Sequence, residues 1–253
     1  MTPERPNGEG DRDEDAPLPA AEVSYALCIF ATETFPPSPA AVRRSLGASG
    51  ADADIAIARF ERAFRRSPEL RRLGSCDLPV ERLNRGVRVR LDPAVAEEAV
   101  AEVEAIARRH GLAVLDEKLD EISFPSSLDA LEHFEEATRA LCAAGSGYLM
   151  IEGGGGDRYF VQAFAEDGGR EIRVEAVGNR ALPRSWKLPR SIAAELDRQG
   201  WRPPRGAEVN FSATLPIGPR GTPRRLAKLL HDALAGAYGL AATARVTICL
   251  SLG

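Results

Sequence analysis

Apolar runs long enough to cross a membrane are missing: none approaches the ~20 residues such a helix needs, which predicts no membrane partner. Cysteine is scarce and scattered. Cys28, Cys76, Cys142 and Cys249 form no C-x-x-C pair, and Cys28, Cys142 and Cys249 sit inside apolar patterns. They read as small buried hydrophobes of a reducing compartment. The three histidines, His110, His133 and His231, lie far apart without ligand spacing, so neither a metal site nor a cofactor is expected. No nucleophile–base pair shows, which predicts a protein that is not an enzyme. A platform of interleaved aromatic and basic residues is missing too, which argues against nucleic acid. The N-terminus is acidic and Pro-rich rather than basic and then apolar, so it does not read as a secretory signal, and a cytoplasmic location is expected.

Charge is unevenly placed. The formal net charge is −4, yet residues 1–22 alone hold seven acids and two arginines, net −5, which leaves the rest at +1. Residues 1–22 are poor in hydrophobes and rich in Pro, Gly, Asp and Glu, the composition of a disordered acidic tail. The 253 residues are ample for two ordinary domains. We place an N-terminal α+β domain over 23–124 and a second over 126–253. Both read as small α/β sandwiches of the α+β class, the second with an antiparallel sheet carrying helices on one face.

In the first half, residues 24–31 form a short buried strand and 54–66 a helix with Ile57, Phe60 and Phe64 on one face. Residues 86–91 alternate as a one-sided strand. Asp92-Pro93 then predicts a helix start, and Gly111 closes that helix as a left-handed cap. Asp116, Glu117, Asp120 and Glu121 gather in one loop, read as a solvated acidic loop rather than a divalent-cation site. Ser126-Ser127-Leu128-Asp129 resembles a capping box before the next helix. The second half then reads α-β-β-β-α-β-α-β. The run 153–156 is four glycines but leads into a strand and lacks a following Lys-Ser/Thr, so it is a hairpin turn rather than a phosphate loop.

The centre of the chain is residues 148–179, three strands with Gly-rich turns. Residues 171–177 put Ile172, Val174 and Ala176 on one face against Arg173 and Glu175, as a half-buried antiparallel strand does. Residues 159–165 put Tyr159, Val161, Ala163 and Ala165 on one face and Phe160, Gln162 and Phe164 on the other. A strand apolar on both faces has both faces covered. One cover is this half's helices; the other is a second domain, a second subunit or a bound peptide. The expected recognition surface is therefore Phe160, Gln162 and Phe164 with Arg173 and Glu175, and Trp186 and Trp201 as rim anchors, since aromatics give contact area at low entropy cost.

Three strings carry a family resemblance: Tyr159-Phe160-Val161-Gln162 with Phe164; Glu175-Ala176-Val177-Gly178-Asn179-Arg180 with Leu182-Pro183; and Gly200-Trp201-Arg202-Pro203-Pro204. In order and spacing, residues 126–253 resemble the actinobacterial domains grouped with type III secretion chaperones and YbjN as peptide-binding chaperones. The resemblance implies a non-enzymatic chaperone or adaptor that takes a peptide segment or protein partner, linked to secretion or toxin systems. The alternative is an interaction module whose two domains cover each other's sheets, with no ligand site.

Overall fold

The computed structural model describes residues 25–253 apart from 33–35, 37, 47–52, 76, 84, 154–158, 167–169 and 219–220, and leaves out the side chains at 45, 53, 54 and 186. The expected disordered tail, most of the four-glycine turn, Cys76 and the Trp186 side chain thus lie outside the described residues.

The chain runs β1 (Tyr25–Phe30), α1 (Pro39–Leu46), α2 (Ala53–Arg66), α3 (Pro68–Arg72), β2 (Val80–Leu83), β3 (Gly86–Leu91), α4 (Ala96–Arg109), β4 (Ala113–Asp116) and β5 (Glu121–Ser127). It continues α5 (Leu131–Ala144), β6 (Gly147–Gly153), β7 (Tyr159–Ala165), β8 (Glu171–Ala176), a 3-10 turn (Arg184–Trp186), α6 (Arg190–Arg198), β9 (Phe211–Pro216), α7 (Thr222–Asp232), a π-helical turn (Ala233–Ala237) and β10 (Arg245–Leu252). The second half keeps the expected order of elements.

The strands form one open antiparallel sheet, ordered β2-β3-β1-β4-β5-β10-β6-β7-β8-β9. Strands of both halves of the chain share this sheet. The joint is β10, which pairs with β5 along Arg245↔Ser127 to Ser251↔Glu121 and with β6 along Val246↔Gly153 to Leu252↔Gly147.

Register separates the two faces. One carries Cys28, Phe30, Leu115, Ile122, Phe124, Ile248, Leu250, Ile151, Val161 and Val174, and packs in one core with α1, α5 and α7. The opposite face carries Leu27, Ile29, Val87, Val89 and Val114 and packs against α2 and α4 through Ile57, Phe60, Phe64, Val103 and Ile106. The long helices α2 and α4 of the N-terminal half therefore cover one face, while α1 and the helices of the C-terminal half cover the other. The stripe expected of α2 is the one buried, with Phe60 and Phe64 stacked at 5.9 Å.

Two helix starts differ from expectation. Asp92 Oδ1 accepts the Ala94 amide at 2.8 Å, but α4 begins at Ala96 after an extra turn. The β5 strand runs through Ser127, so no capping box forms there. Ser126 Oγ lies 2.8 Å from His133 Nδ1, and α5 starts at Leu131 without a side-chain cap. Both sites satisfy their polar side chains locally, which is the competition that makes cap motifs ambiguous. Gly111, with φ 68°, ends α4 as expected.

The acidic residues of the β4–β5 hairpin each have a structural partner. Asp116 Oδ1 accepts the Lys118 and Leu119 amides at 2.9 and 3.0 Å. Glu117 takes Arg88 at 2.9 Å, Asp120 pairs with Arg43, and Glu121 accepts the Tyr148 hydroxyl. Among the described residues no His/Cys/Asp/Glu group could hold a metal ion, and no helix is long and apolar enough to cross a membrane.

Candidate functional site

The face of β6–β9 turned away from α5, α6 and α7 is the candidate site. Along β7 the alternation falls as expected: Val161, Ala163 and Ala165 are buried, whereas Phe160, Gln162 and Phe164 remain half-buried. Pairing aligns two cross-strand rows on this face. One is Tyr148–Phe164–Arg173–Thr214, the other Met150–Gln162–Glu175–Ser212. Phe160 follows opposite Glu152. All ten residues are half-buried or exposed. The helices of the N-terminal half pack on β1, β3, β4 and β5 instead.

Polar contacts hold the centre of this face. Gln162 Nε2 donates to Glu175 Oε2 at 2.9 Å, and Asn210 Nδ2 donates to the same oxygen at 3.0 Å. Arg173 Nε stands 3.7 Å from Glu175 Oε1, and the Arg173 guanidinium sits 5.0 Å from the Phe164 ring centre. Gln162 thus stands between Phe160 and Phe164 along β7 with its amide nitrogen ordered by Glu175. Such a surface offers stacking area plus one amide, chemistry suited to an extended backbone.

Five of the expected residues thus meet: Phe160, Gln162, Phe164, Arg173 and Glu175. Trp201 does not. It is 1 % exposed and lies in the core under the other face, so its assignment as a rim anchor is corrected. The cause is local. After α6, Gly200 adopts φ 93°; its amide bonds the Asp197 carbonyl at 3.0 Å, and the Trp201 amide reaches Leu196 at 3.0 Å. This pair of bonds turns Trp201 back onto Leu196, the hydrophobic contact that accompanies a Schellman cap. The string Leu196-x-x-x-Gly200-Trp201 carries that signal in the sequence. Tyr148 and Met150 were also missed, although alternation of Tyr148 and Met150 with Leu149 and Ile151 places them on the open face.

The strings that carried the resemblance are structural as well. Gly178 has no room for a side chain, because a Cβ would press into the Val209 carbonyl and lie 3.2 Å from Asn210 Cα. Its amide donates to Asn210 Oδ1 at 3.2 Å, and Asn179 Nδ2 donates to the Leu188 carbonyl at 3.0 Å. Tyr159 stacks on Tyr238 at 5.0 Å, and the Tyr238 hydroxyl donates to the Val177 carbonyl at 2.7 Å.

A polar seam borders the face where α4 crosses β5. The Tyr25 hydroxyl donates to Asp116, Tyr148 to Glu121, and Ser123 to Glu104 Oε1 at 3.0 Å; Cys249 Sγ lies 3.5 Å from Ser123 Oγ. Burial raises the pKa of Glu104 and Glu121, and likewise lifts the Tyr25, Tyr148 and Cys249 groups. Cys28 is pushed up to about 12 by burial and by its hydrogen bond to Glu117. Thiols held this far up stay protonated, which removes the thiolate that a cysteine nucleophile requires.

The open face lies within a stretch that matches a known family. Residues 129–248 match TY-Chap3. That family is described as T3SS (YopN, CesT) and YbjN peptide-binding chaperone 3. The TY-Chap3 match runs from the start of α5 into the middle of β10, and so takes in β6–β9 and the helices α5, α6 and α7. β1–β5 and α1–α4 lie outside it. No curated protein and no solved structure matches the chain.

Proposed function

We propose that the chain is a non-enzymatic peptide-binding chaperone or adaptor whose partner lies across the open face of β6–β9. The observation that supports this most is an aromatic-bearing sheet face, half-buried and covered by no helix among the described residues, inside the stretch that matches a peptide-binding family. Phe160 and Phe164 supply contact area, Gln162 bonds the partner backbone, and Arg173 and Glu175 border the site. Catalysis has no support in the seam, where the carboxylates of Asp116, Glu104 and Glu121 accept hydroxyl hydrogen bonds from Tyr25, Ser123 and Tyr148 and burial holds the Cys249 thiol up. A link to secretion or toxin systems is the finer part of this reading and rests on the family description alone.

The alternative, halves that cover each other's sheets, fits this face less well, because the main sheet contacts of α2 and α4 fall on β1, β3, β4 and β5. The test is the full chain carrying F160S and F164S, screened beside the parent on an array of random 15-residue peptides. Loss of peptide capture with an unchanged circular-dichroism spectrum and a cooperative melt supports recognition. A variant that unfolds shows the two phenylalanines to be scaffold, and sinks the site. Equal capture by both proteins moves the site elsewhere.

A further inference from the structure

At the opposite end of the sheet from the seam, a cleft of about 790 Å³ opens between the two halves. Four elements and their flanks line it: the start of α2, the end of α4, the β5–α5 connection and the start of β10. It gathers Arg59, Arg108, Arg109, His110, His133 and Arg245, while the described lining holds no carboxylate. Arg109 reaches Glu102 at 3.4 Å outside the cleft, and His133 Nδ1 is 2.8 Å from Ser126 Oγ. Among the described residues, Arg59 and Arg245 form no ion pair. Burial and the neighbouring Arg109 and Arg59 depress the His110 pKa, the mark of a site already crowded with positive charge. Beyond residue 22 the chain sums to only +1, so this concentration is local rather than a share of a basic surface. The end of α4 accounts for Arg108, Arg109 and His110 as partners of its dipole, but not for Arg59 and Arg245, which come from other elements. Ile55, 68 % exposed, stands at the mouth.

The same chain carries the complementary charge. Residues 9–15 hold Glu9, Asp11, Asp13, Glu14 and Asp15 against the single Arg12. They precede β1 at Tyr25, and the far end of β1, Phe30, pairs with Ala113, two residues after the cleft-lining Gly111. Ten extended residues span up to ~35 Å, more than the ~20 Å length of a six-residue strand. We propose that this cleft takes the chain's own acidic stretch, residues 9–15, as an intramolecular occupant. The tether makes weak pairing sufficient, since a linked segment acts at an effective concentration on the order of millimolar. A cationic concavity focuses such attraction, and salt weakens it.

The test uses the full chain with R59K and R245K, which keep the charge and supply amines for carbodiimide coupling to carboxylates. The native lysines are Lys118, Lys187 and Lys228. Lys118 lies beside Tyr25, the first residue of β1, and controls for simple proximity. The expected result is a cross-link from residues 9–15 to position 59 or 245 in the monomer band, several-fold above Lys187 and Lys228. Raising salt to roughly 500 mM, where the screening length is below ~5 Å, should suppress it. A second arm leaves the cleft native and neutralises the stretch with D11N, D13N, E14Q and D15N. The His110 titration midpoint should then fall. Cross-links spread evenly over all lysines, confined to Lys118, or found only in covalent dimers would overturn the proposal, as would an unmoved His110 midpoint. Binding of a labelled poly-aspartate peptide or of duplex DNA without the internal cross-link would assign the cleft to a partner, and so also overturn it.

Discussion

Replacing Trp201 by alanine should cost about 3–5 kcal/mol of stability, the range for removing a large core aromatic. The figure follows from its surroundings. Trp201 is sealed under the Leu196 turn with its backbone pinned to α6. A buried indole hides about 150–250 Å², worth roughly 4–6 kcal/mol at ~25 cal/mol per Å². That is an upper bound, because the unfolded chain already hides part of this surface. The indole Nε1 also has no acceptor among the described residues, and such an orphan donor costs about 1–3 kcal/mol in the native state. W201F should therefore be far milder than W201A: it gives up part of the ring area but removes the orphan N–H. Urea denaturation followed by far-ultraviolet circular dichroism measures both variants. A W201A cost under ~1 kcal/mol, the range of ordinary surface substitutions, together with lost peptide capture, would return Trp201 to the rim and refute its placement in the core.

Phe211→Ala should cost about 3–5 kcal/mol in the same assay, because Phe211 is buried opposite Ala176 on the covered face. Gly178→Ala should cost about 1–3 kcal/mol or more as an overpacked site, since the new methyl meets backbone that cannot swing away; a neutral result would show that the Val209–Asn210 segment yields. Glu104→Gln should raise the denaturation midpoint at neutral pH and leave it unchanged below about pH 4.5. The sign follows from the direction of the shift: burial raises the Glu104 pKa, so folding pays for its ionisation as pH climbs above the ordinary 4.5. A variant that is equally stabilised at acid pH would point to packing rather than charge.

The elements with a clean period were readable from residues alone. β7 and β8 alternate, α2 and α4 carry their stripes, and the second half has the expected order. The open face followed from Phe160, Gln162 and Phe164 standing opposite core positions, and its Tyr148 and Met150 border needed only the register of β6. Helix starts were less legible, because Asp92 and Ser126 have partners that compete with capping. The apolar run of residues 246–250 could be recognised as a strand, but its neighbours could not. Pairing partners are set by distant contacts, and nothing in those residues says that β5 lies on one side and β6 on the other. Helices on opposite faces of one sheet were hidden for the same reason.

The position of β10 also sets the order in which the protein can be finished during synthesis. Every strand before β10 can find one neighbour while the chain is still emerging, β5 on β4 and β6 on β7, yet the second edges of β5 and β6 wait for residues 245–252. Until these are made, the nascent protein holds two partial sheets with facing raw edges, the kind of edge that invites pairing with another chain. Ribosome stalling or truncation before residue 245 should thus yield aggregation rather than a trimmed, working molecule. A fragment beginning at residue 126 carries the mirror-image defect, with β10 present and nearly all of β5 gone, so its stickiness would report a missing strand before it reported a binding face.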